Sequence, residues 1–122
     1  MSNKIEDLCE TMIPFARAFV QRMNDLGIPF IITETLRSLD RQKQLYAQGR
    51  TAPGPIVTWT MQSKHLQGKA FDICIMKDGK MDWDIKNPDW EHAGEVGEGV
   101  GLEWGGRWKH PDFPHFQLKE VI

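Results

Sequence analysis

The chain has 122 residues, 40% of them apolar and 26% charged, with a formal net charge of −2. This length fits one domain with a core of its own, and the slightly acidic balance argues against a nucleic-acid partner, which needs a clustered positive surface. No apolar run is long enough to cross a bilayer and the first residues lack the features of a signal peptide, so we expect a protein without stable membrane association that is cytoplasmic as synthesised.

The first segment predicts a helix. Apolar residues recur at three- and four-residue spacing between Ile5 and Leu26, which is typical of a helix with one buried face. Pro14 interrupts this pattern, and proline is tolerated at the first helical position. We therefore expect a short opening turn, a main helix from about Pro14 to Leu26, and an end at Gly27.

A strand and a second helix follow. Residues 28–35 are rich in β-branched and aromatic side chains, which favours a strand. Ser38 is placed to cap a helix that ends at Gly49. Arg37 then lies at a strand-to-helix turn, where a side chain is held firmly and stays accessible, although a solvated arginine is the simpler interpretation. Residues 50–60 form a loop that could face a substrate.

The central segment predicts a strand and a hairpin. From residue 70 the side chains alternate between two faces of a strand, with Ala70, Asp72, Cys74 and Met76 on one face and Phe71, Ile73 and Ile75 on the other. Asp78-Gly79 is a preferred two-residue hairpin turn. Cys9 and Cys74 are too few for a disulfide framework, and the sequence leaves open whether they pair.

The last third predicts a helix and a final strand. Asn87 followed by Pro88 indicates a helix start, and we expect the helix to reach about Val100. Four glycines between 94 and 101 weaken it by about 0.5–1 kcal/mol each, which indicates close packing or a functional approach. The strand at 115–118 directs alternate residues to the core. Pairing it with the central strand would bring its first residue against Asp72.

Two imidazoles and one carboxylate predict a metal site. A catalytic zinc site typically has three nitrogen, oxygen or sulfur ligands from the protein and one open position. His65, Asp72 and His115 could fill the three places. By spacing alone this signal is weak, because short motifs match by chance, and a plain hydrogen-bonded His–Asp pair is the alternative.

The motifs in order resemble a known family. The pattern Ser63-x-His65-x-x-Gly68-x-Ala70-x-Asp72, followed by Asp112-x-x-His115, is similar to the zinc peptidoglycan peptidases that include D-alanyl-D-alanine carboxypeptidases and the L-alanyl-D-glutamate endopeptidases of phage endolysins. The same likeness extends to the segments 36–38 and 45–51 and to the Gly101-Leu-Glu-Trp-Gly-Gly-x-Trp108 run. The hedgehog signalling domain shares this fold and zinc site.

The resemblance implies a fold and a set of roles. The fold is α+β, a single domain over residues 1–122 with a small antiparallel sheet, helices on one face and the zinc site on the other, and no separate cell-wall-binding domain. One Zn²⁺ per chain would be bound by His65, Asp72 and His115. Asp112 would be the general base and Arg37 the oxyanion-stabilising group. Ser63, Trp104 and Trp108 are the predicted substrate-binding residues.

Other assignments remain possible at this point. Glu103 could replace Asp112 as the base, and His110 could replace His115 as a ligand. Cys74 shares a strand face with Asp72 and could be a fourth ligand, although a buried thiol is the simpler interpretation. Any of the five tryptophans, including Trp59, could line a groove.

The predicted function is hydrolysis of an amide bond in peptidoglycan stem peptides, between L-alanine and D-glutamate. The alternatives are a D-alanyl-D-alanine carboxypeptidase or dipeptidase, and a non-catalytic zinc-binding module of the hedgehog kind. The expected partner is the stem peptide, with a holin for export if the chain is of phage origin. We expect a monomer that acts on the cell wall or periplasm after release.

Overall fold

The computed structural model describes residues 2–58 and 63–119. Within these ranges it contains three α-helices and five strands. The helices are α1 (Met12–Asp25), α2 (Leu39–Ala47) and α3 (Pro88–Gly99). The strands are β1 (Phe30–Glu34), β2 (Ala70–Lys77), β3 (Lys80–Asp82), β4 (Leu102–Trp104) and β5 (His115–Leu118), and short 3-10 turns lie at Ile5–Asp7, Lys64–Gln67 and Gly105–Arg107.

The strands form one antiparallel sheet in the order β1-β2-β5-β4, with β3 paired to β2. β2 is therefore central, and β5 pairs with it, which is the arrangement that brings His115 against Asp72. The β2–β3 hairpin turns at Asp78 and Gly79, which have φ angles of 53° and 76°, as a type I′ turn requires. The predicted α+β class with a small antiparallel sheet is confirmed.

Helix α1 covers the sheet with one apolar stripe. Its buried residues follow the three- and four-residue spacing seen in the sequence, and they are Met12, Ala16, Phe19 and Met23. Phe19 contacts Phe71 of β2 and Phe116 of β5, with ring centroids 5.3 and 4.8 Å apart. Burying each such side chain contributes about 1.5–3 kcal/mol, so these contacts fix α1 across the two strands that matter for the site.

The start of α1 differs from the prediction. The helix begins at Met12, two residues before the expected start at about Pro14. The first four backbone N–H groups of a helix have no partner inside it, and proline is therefore harmless throughout the first turn.

The glycines of α3 allow close packing. A β-carbon added to Gly94 would lie 2.3 Å from the Trp104 ring, and one added to Gly97 would lie 2.3 Å from Phe116. The helix begins where Asn87 caps it, with the side-chain oxygen accepting from the Asp89 N–H at 3.0 Å. The expectation that these glycines serve close packing is confirmed at these two positions.

The two cysteines are not paired with each other. Cys9 and Cys74 are both free thiols, and Cys74 is fully buried in the core. In the described part of the chain, no helix has the length and apolar character that crossing a bilayer demands.

Candidate metal centre

Three short segments bring His65, Asp72 and His115 together. The 3-10 turn that carries His65 is capped by Ser63, whose Oγ accepts from the His65 backbone N–H at 3.2 Å. Asp72 on β2 and His115 on β5 are direct partners across the sheet, as predicted. Asp72 Oδ1 lies 3.1 Å from His65 Nε2 and 3.2 Å from His115 Nδ1. Among the described residues, no other group of three such side chains is close enough to share a metal ion.

The hydrogen bond at Nδ1 of His65 leaves Nε2 as the nitrogen that could bind a metal. His65 Nδ1 lies 2.9 Å from the carbonyl oxygen of Thr35. A carbonyl can only accept, so Nδ1 carries the proton. In a neutral imidazole the other nitrogen is then an acceptor, and Nε2 therefore directs its lone pair toward Asp72.

The same reasoning applies to His115 with the two nitrogens exchanged. Its Nε2 lies 2.8 Å from Gln117 Oε1, and the Gln117 amide nitrogen donates to Glu103 Oε2 at 3.3 Å. Glu103 Oε2 also accepts from the Trp108 indole N–H at 2.8 Å. In the neutral ring Nε2 of His115 thus carries the proton, and the lone pair of Nδ1 is the one that could bind a metal.

The donor set fits a divalent metal ion. Two nitrogen lone pairs and a carboxylate converge within 4.8 Å of one another, an arrangement that repels itself unless a proton or a cation lies between them. A tetrahedral zinc site with bonds of about 2.0–2.1 Å has ligand-to-ligand edges of about 3.3 Å. The 3.1 and 3.2 Å separations about Asp72 Oδ1 are close to that value.

Burial and neighbouring charges shift the pKa values of the two carboxylates and of His115. Burial alone would raise the pKa of Asp72, but in the metal-free site protons shared with the His115 and His65 rings outweigh burial and hold the pKa well below its usual range. Asp112 has the opposite balance, because burial and the negative charge of Asp72 raise its pKa above the ordinary value. The pKa of His115 is also raised: burial, the largest single effect, lowers it, but the hydrogen bond to Asp72 together with the negative charges of Asp72 and Asp112 outweighs burial.

Arg37 lies beside the three ligand atoms and is held by two side chains. Its guanidinium pairs with buried Glu34 and donates to Gln42 Oε1 at 2.7 Å. Its Nη2 lies 3.8 Å from Asp72 Oδ2, and its backbone N–H donates to the His65 carbonyl at 3.0 Å. A fixed positive charge therefore stands at the edge of the metal centre.

A cavity of about 800 Å³ opens over this group. The residues that line it include all three ligand candidates and four of the other predicted site residues, which are Arg37, Ser63, Trp108 and Asp112. Trp104 is 1% exposed and does not line the cavity. Its indole N–H donates to the Phe113 carbonyl at 2.8 Å, which fixes the turn next to Asp112. Trp59 lies outside the described residues.

Sequence comparison identifies the family. Residues 57–118, just over half of the chain, match the family described as D-alanyl-D-alanine carboxypeptidase. The chain belongs to this peptidase family.

Two known endopeptidases are similar to this chain over much of its length. The peptidoglycan L-alanyl-D-glutamate endopeptidase CwlK of Bacillus subtilis is 40% identical over 103 residues, which cover 75% of this chain and 62% of the relative. The chain thus spans less than two thirds of that relative's length. The crystal structure of the Serratia marcescens L-Ala D-Glu endopeptidase ChiX has 26% identity and a TM-score of 0.76, covering 94% of this chain and 83% of ChiX.

A third likeness concerns the fold alone. A mutant of the vancomycin resistance D,D-pentapeptidase VanY, solved in complex with Zn(II), has 13% identity and a TM-score of 0.67. The match covers 91% of this chain and 72% of VanY.

The competing assignments can now be located in this family member. Glu103 is engaged by Trp108 and Gln117, and it does not line the cavity. His110 lines the cavity but is exposed and is not part of the ligand group. Cys74 belongs to the hydrophobic core.

Sequence reasoning missed three residues of the site. Glu34 and Gln42 hold Arg37, and Gln117 binds His115. A glutamate that ends an apolar strand three residues before Arg37 was an available signal. The contact of Gln117 with Glu103 was not, because β4 has only three residues and shows no periodicity.

Proposed function

We propose that this protein is a zinc-dependent peptidase that hydrolyses the amide bond between L-alanine and D-glutamate in the stem peptides of bacterial peptidoglycan. The observation that carries the proposal is the convergence of two imidazole lone pairs and a carboxylate on one wall of a cavity. The likeness to CwlK and ChiX supports the substrate class. The enzyme acts as a monomer, with one zinc ion per chain, on cell wall that it reaches after release.

The metal ligands are His65 through Nε2, Asp72 through its carboxylate, and His115 through Nδ1. When bound there, zinc supplies a Lewis acid and lowers the pKa of a water ligand to about 7. The two outer hydrogen bonds, to the Thr35 carbonyl and to Gln117 Oε1, keep each imidazole in the tautomer that binding needs.

Asp112 is the general base. Its backbone is fixed on both sides, since its N–H donates to the Gly105 carbonyl at 2.9 Å and its carbonyl accepts from the His115 N–H at 3.2 Å. A carboxylate held in this turn takes a proton from the attacking water and returns it to the leaving amine. Its raised pKa suits both steps, because an effective acid–base group has a pKa near the working pH.

Arg37 stabilises the negative charge that develops on the carbonyl oxygen of the substrate. Preorganised donors of this kind contribute most when they do not have to reorient during the reaction. Glu34 and Gln42 hold the guanidinium in place before substrate arrives. Ser63 and Trp108 line the cavity within reach of a bound peptide, and Trp104 contributes by supporting the turn at Phe113.

A D-alanyl-D-alanine carboxypeptidase is the second candidate, favoured by the description of the matching family. The two activities leave different products. A carboxypeptidase releases only terminal D-alanine, whereas the endopeptidase generates a new C-terminal L-alanine and a new N-terminal D-glutamate.

Digestion of purified peptidoglycan, followed by mass analysis of the new termini, tests the proposal. The expected result is cleavage between L-alanine and D-glutamate that stops on chelation and returns with added zinc. Release of D-alanine alone would favour the second candidate. Full zinc binding without any cleavage would instead support a non-catalytic module.

A further inference from the structure

A chain of hydrogen bonds leads from the metal centre to strand β4, by way of residues that line the cavity. It runs from His115 Nε2 to Gln117 Oε1, from the Gln117 amide nitrogen to Glu103 Oε2, and from the same oxygen to the Trp108 indole N–H. On the basis of the proposed metal site, we propose that Glu103 and Gln117 are positioning residues. They fix the tautomer of His115 and so decide which of its nitrogens can bind the metal.

The amide of Gln117 is the element with two possible states. A side-chain amide carries an acceptor oxygen and a donor nitrogen in nearly the same shape. With the oxygen toward His115, the neutral ring carries its single proton on Nε2, and the lone pair of Nδ1 faces Asp72. Rotating the amide by half a turn would present its N–H₂ to Nε2. The ring proton would then move to Nδ1, the nitrogen that faces Asp72, and a protonated nitrogen cannot bind a metal.

Glu103 selects between these two states. A carboxylate accepts hydrogen bonds and cannot donate them, so only the amide nitrogen of Gln117 can face it. Glu103 and Gln117 are direct partners across β4 and β5, which fixes their separation through the backbone. The result is a fixed amide orientation, and with it a fixed proton on His115.

Trp108 holds Glu103 in turn and packs against the imidazole. Its indole N–H donates to Glu103 Oε2 at 2.8 Å, and its ring lies with its centroid 5.1 Å from that of His115. The ring restrains the plane of the imidazole while the N–H restrains the carboxylate. Trp108 therefore couples the cavity wall to the hydrogen-bonded chain.

Four variants and one control test this role in the metal-free and zinc-bound protein. Gln117→Leu and Glu103→Leu each break the chain. The exchange Glu103→Gln with Gln117→Glu reverses it and keeps an acceptor toward His115 Nε2, while Gln117→Glu alone faces Glu103 with a like charge. The matched control is Glu98→Leu, an exposed glutamate that pairs with Arg107 and lies outside the hydrogen-bonded chain.

Zinc affinity is measured by competition with a chromogenic chelator. Loss of a group that orients a metal-binding histidine typically costs 10–100-fold in affinity. We expect that loss in Gln117→Leu and Glu103→Leu, an intermediate loss in Gln117→Glu, and affinity within about threefold of the unmodified protein in the exchanged pair and in Glu98→Leu.

Nitrogen chemical shifts of the His115 ring, read in metal-free protein at alkaline pH, report the tautomer directly. We expect the proton on Nε2 in the unmodified protein and a mixture of tautomers in Glu103→Leu. An unchanged tautomer together with unchanged zinc affinity in Glu103→Leu and Gln117→Leu would overturn the positioning role. The two proposals fail separately, because absence of cleavage by the unmodified protein overturns only the proposed function.

Discussion

The buried pair formed by Glu34 and Arg37 gives the sharpest stability prediction. Their side chains are 8% and 9% exposed, so replacing Glu34 with glutamine leaves the Arg37 charge buried without its main partner. Breaking a buried ion pair on one side costs about 3–5 kcal/mol. We expect about 3 kcal/mol, at the low end, because Gln42 Oε1 at 2.7 Å and Asp72 Oδ2 at 3.8 Å from the guanidinium remain.

Urea denaturation of the metal-free protein measures this change. A loss of about 3 kcal/mol corresponds to a fall of about 10–15 °C in the melting temperature of a domain of this size. The double variant Glu34→Leu with Arg37→Met should recover most of the stability, since apolar replacement of both partners is often neutral. The matched control is the exposed Glu6→Gln. If Glu34→Gln lost less than about 1 kcal/mol, the inference that this pair holds the arginine would be refuted.

Three further predictions concern the site and its support. Asp112→Asn should retain zinc but lose about 10²–10⁴-fold in the rate of wall-peptide cleavage, and full activity in that variant would remove Asp112 from the mechanism. When zinc affinity is measured at a series of pH values, it should weaken as the pH falls through the raised pKa of His115, because the metal must displace a proton. An affinity independent of pH between 5 and 8, the range in which histidine titrates, would contradict this. Gly97→Ala should destabilise the chain by about 1–3 kcal/mol, since the new β-carbon would lie 2.3 Å from Phe116, and Gly99→Ala, with open space at that position, is the control.

The pH prediction also fixes the sign of a stability change. The raised pKa of His115 means that its protonated form stabilises the metal-free fold. That contribution is complete below the ordinary histidine pKa and is lost as the pH rises through the raised value. Metal-free protein should therefore become less stable toward alkaline pH, and added zinc should reverse the loss.

Much of the fold followed from local patterns in the sequence. The alternation in β2 and β5 gave their faces and brought His115 opposite Asp72. Asp78-Gly79 gave the hairpin, and Asn87 gave the start of α3. These features depend on neighbours within a few residues, where backbone preferences act.

The parts that the sequence did not predict are single side-chain contacts, one of them local and the other between separate strands. Gln42 reaches back to Arg37 through a buried hydrogen bond, and Glu103 meets Gln117 across two short strands. No periodicity marks such pairs, because each partner is a single residue on a helix or strand that is too short or too polar to show a buried face. The ligand roles stay predictions until metal analysis of the protein tests them.

The packing of α3 has a consequence for engineering this chain. Gly94 leaves room for the ring of Trp104, which adjoins Glu103 on the same strand and anchors the carbonyl of Phe113 on the other side. One bulky replacement on an outer helix would thus shift both the turn of the acid–base carboxylate and the strand that orients a ligand. Substitutions on α3 that displace the Trp104 indole should therefore lower activity although they lie outside the cavity. A library of variants screened for activity should lose them.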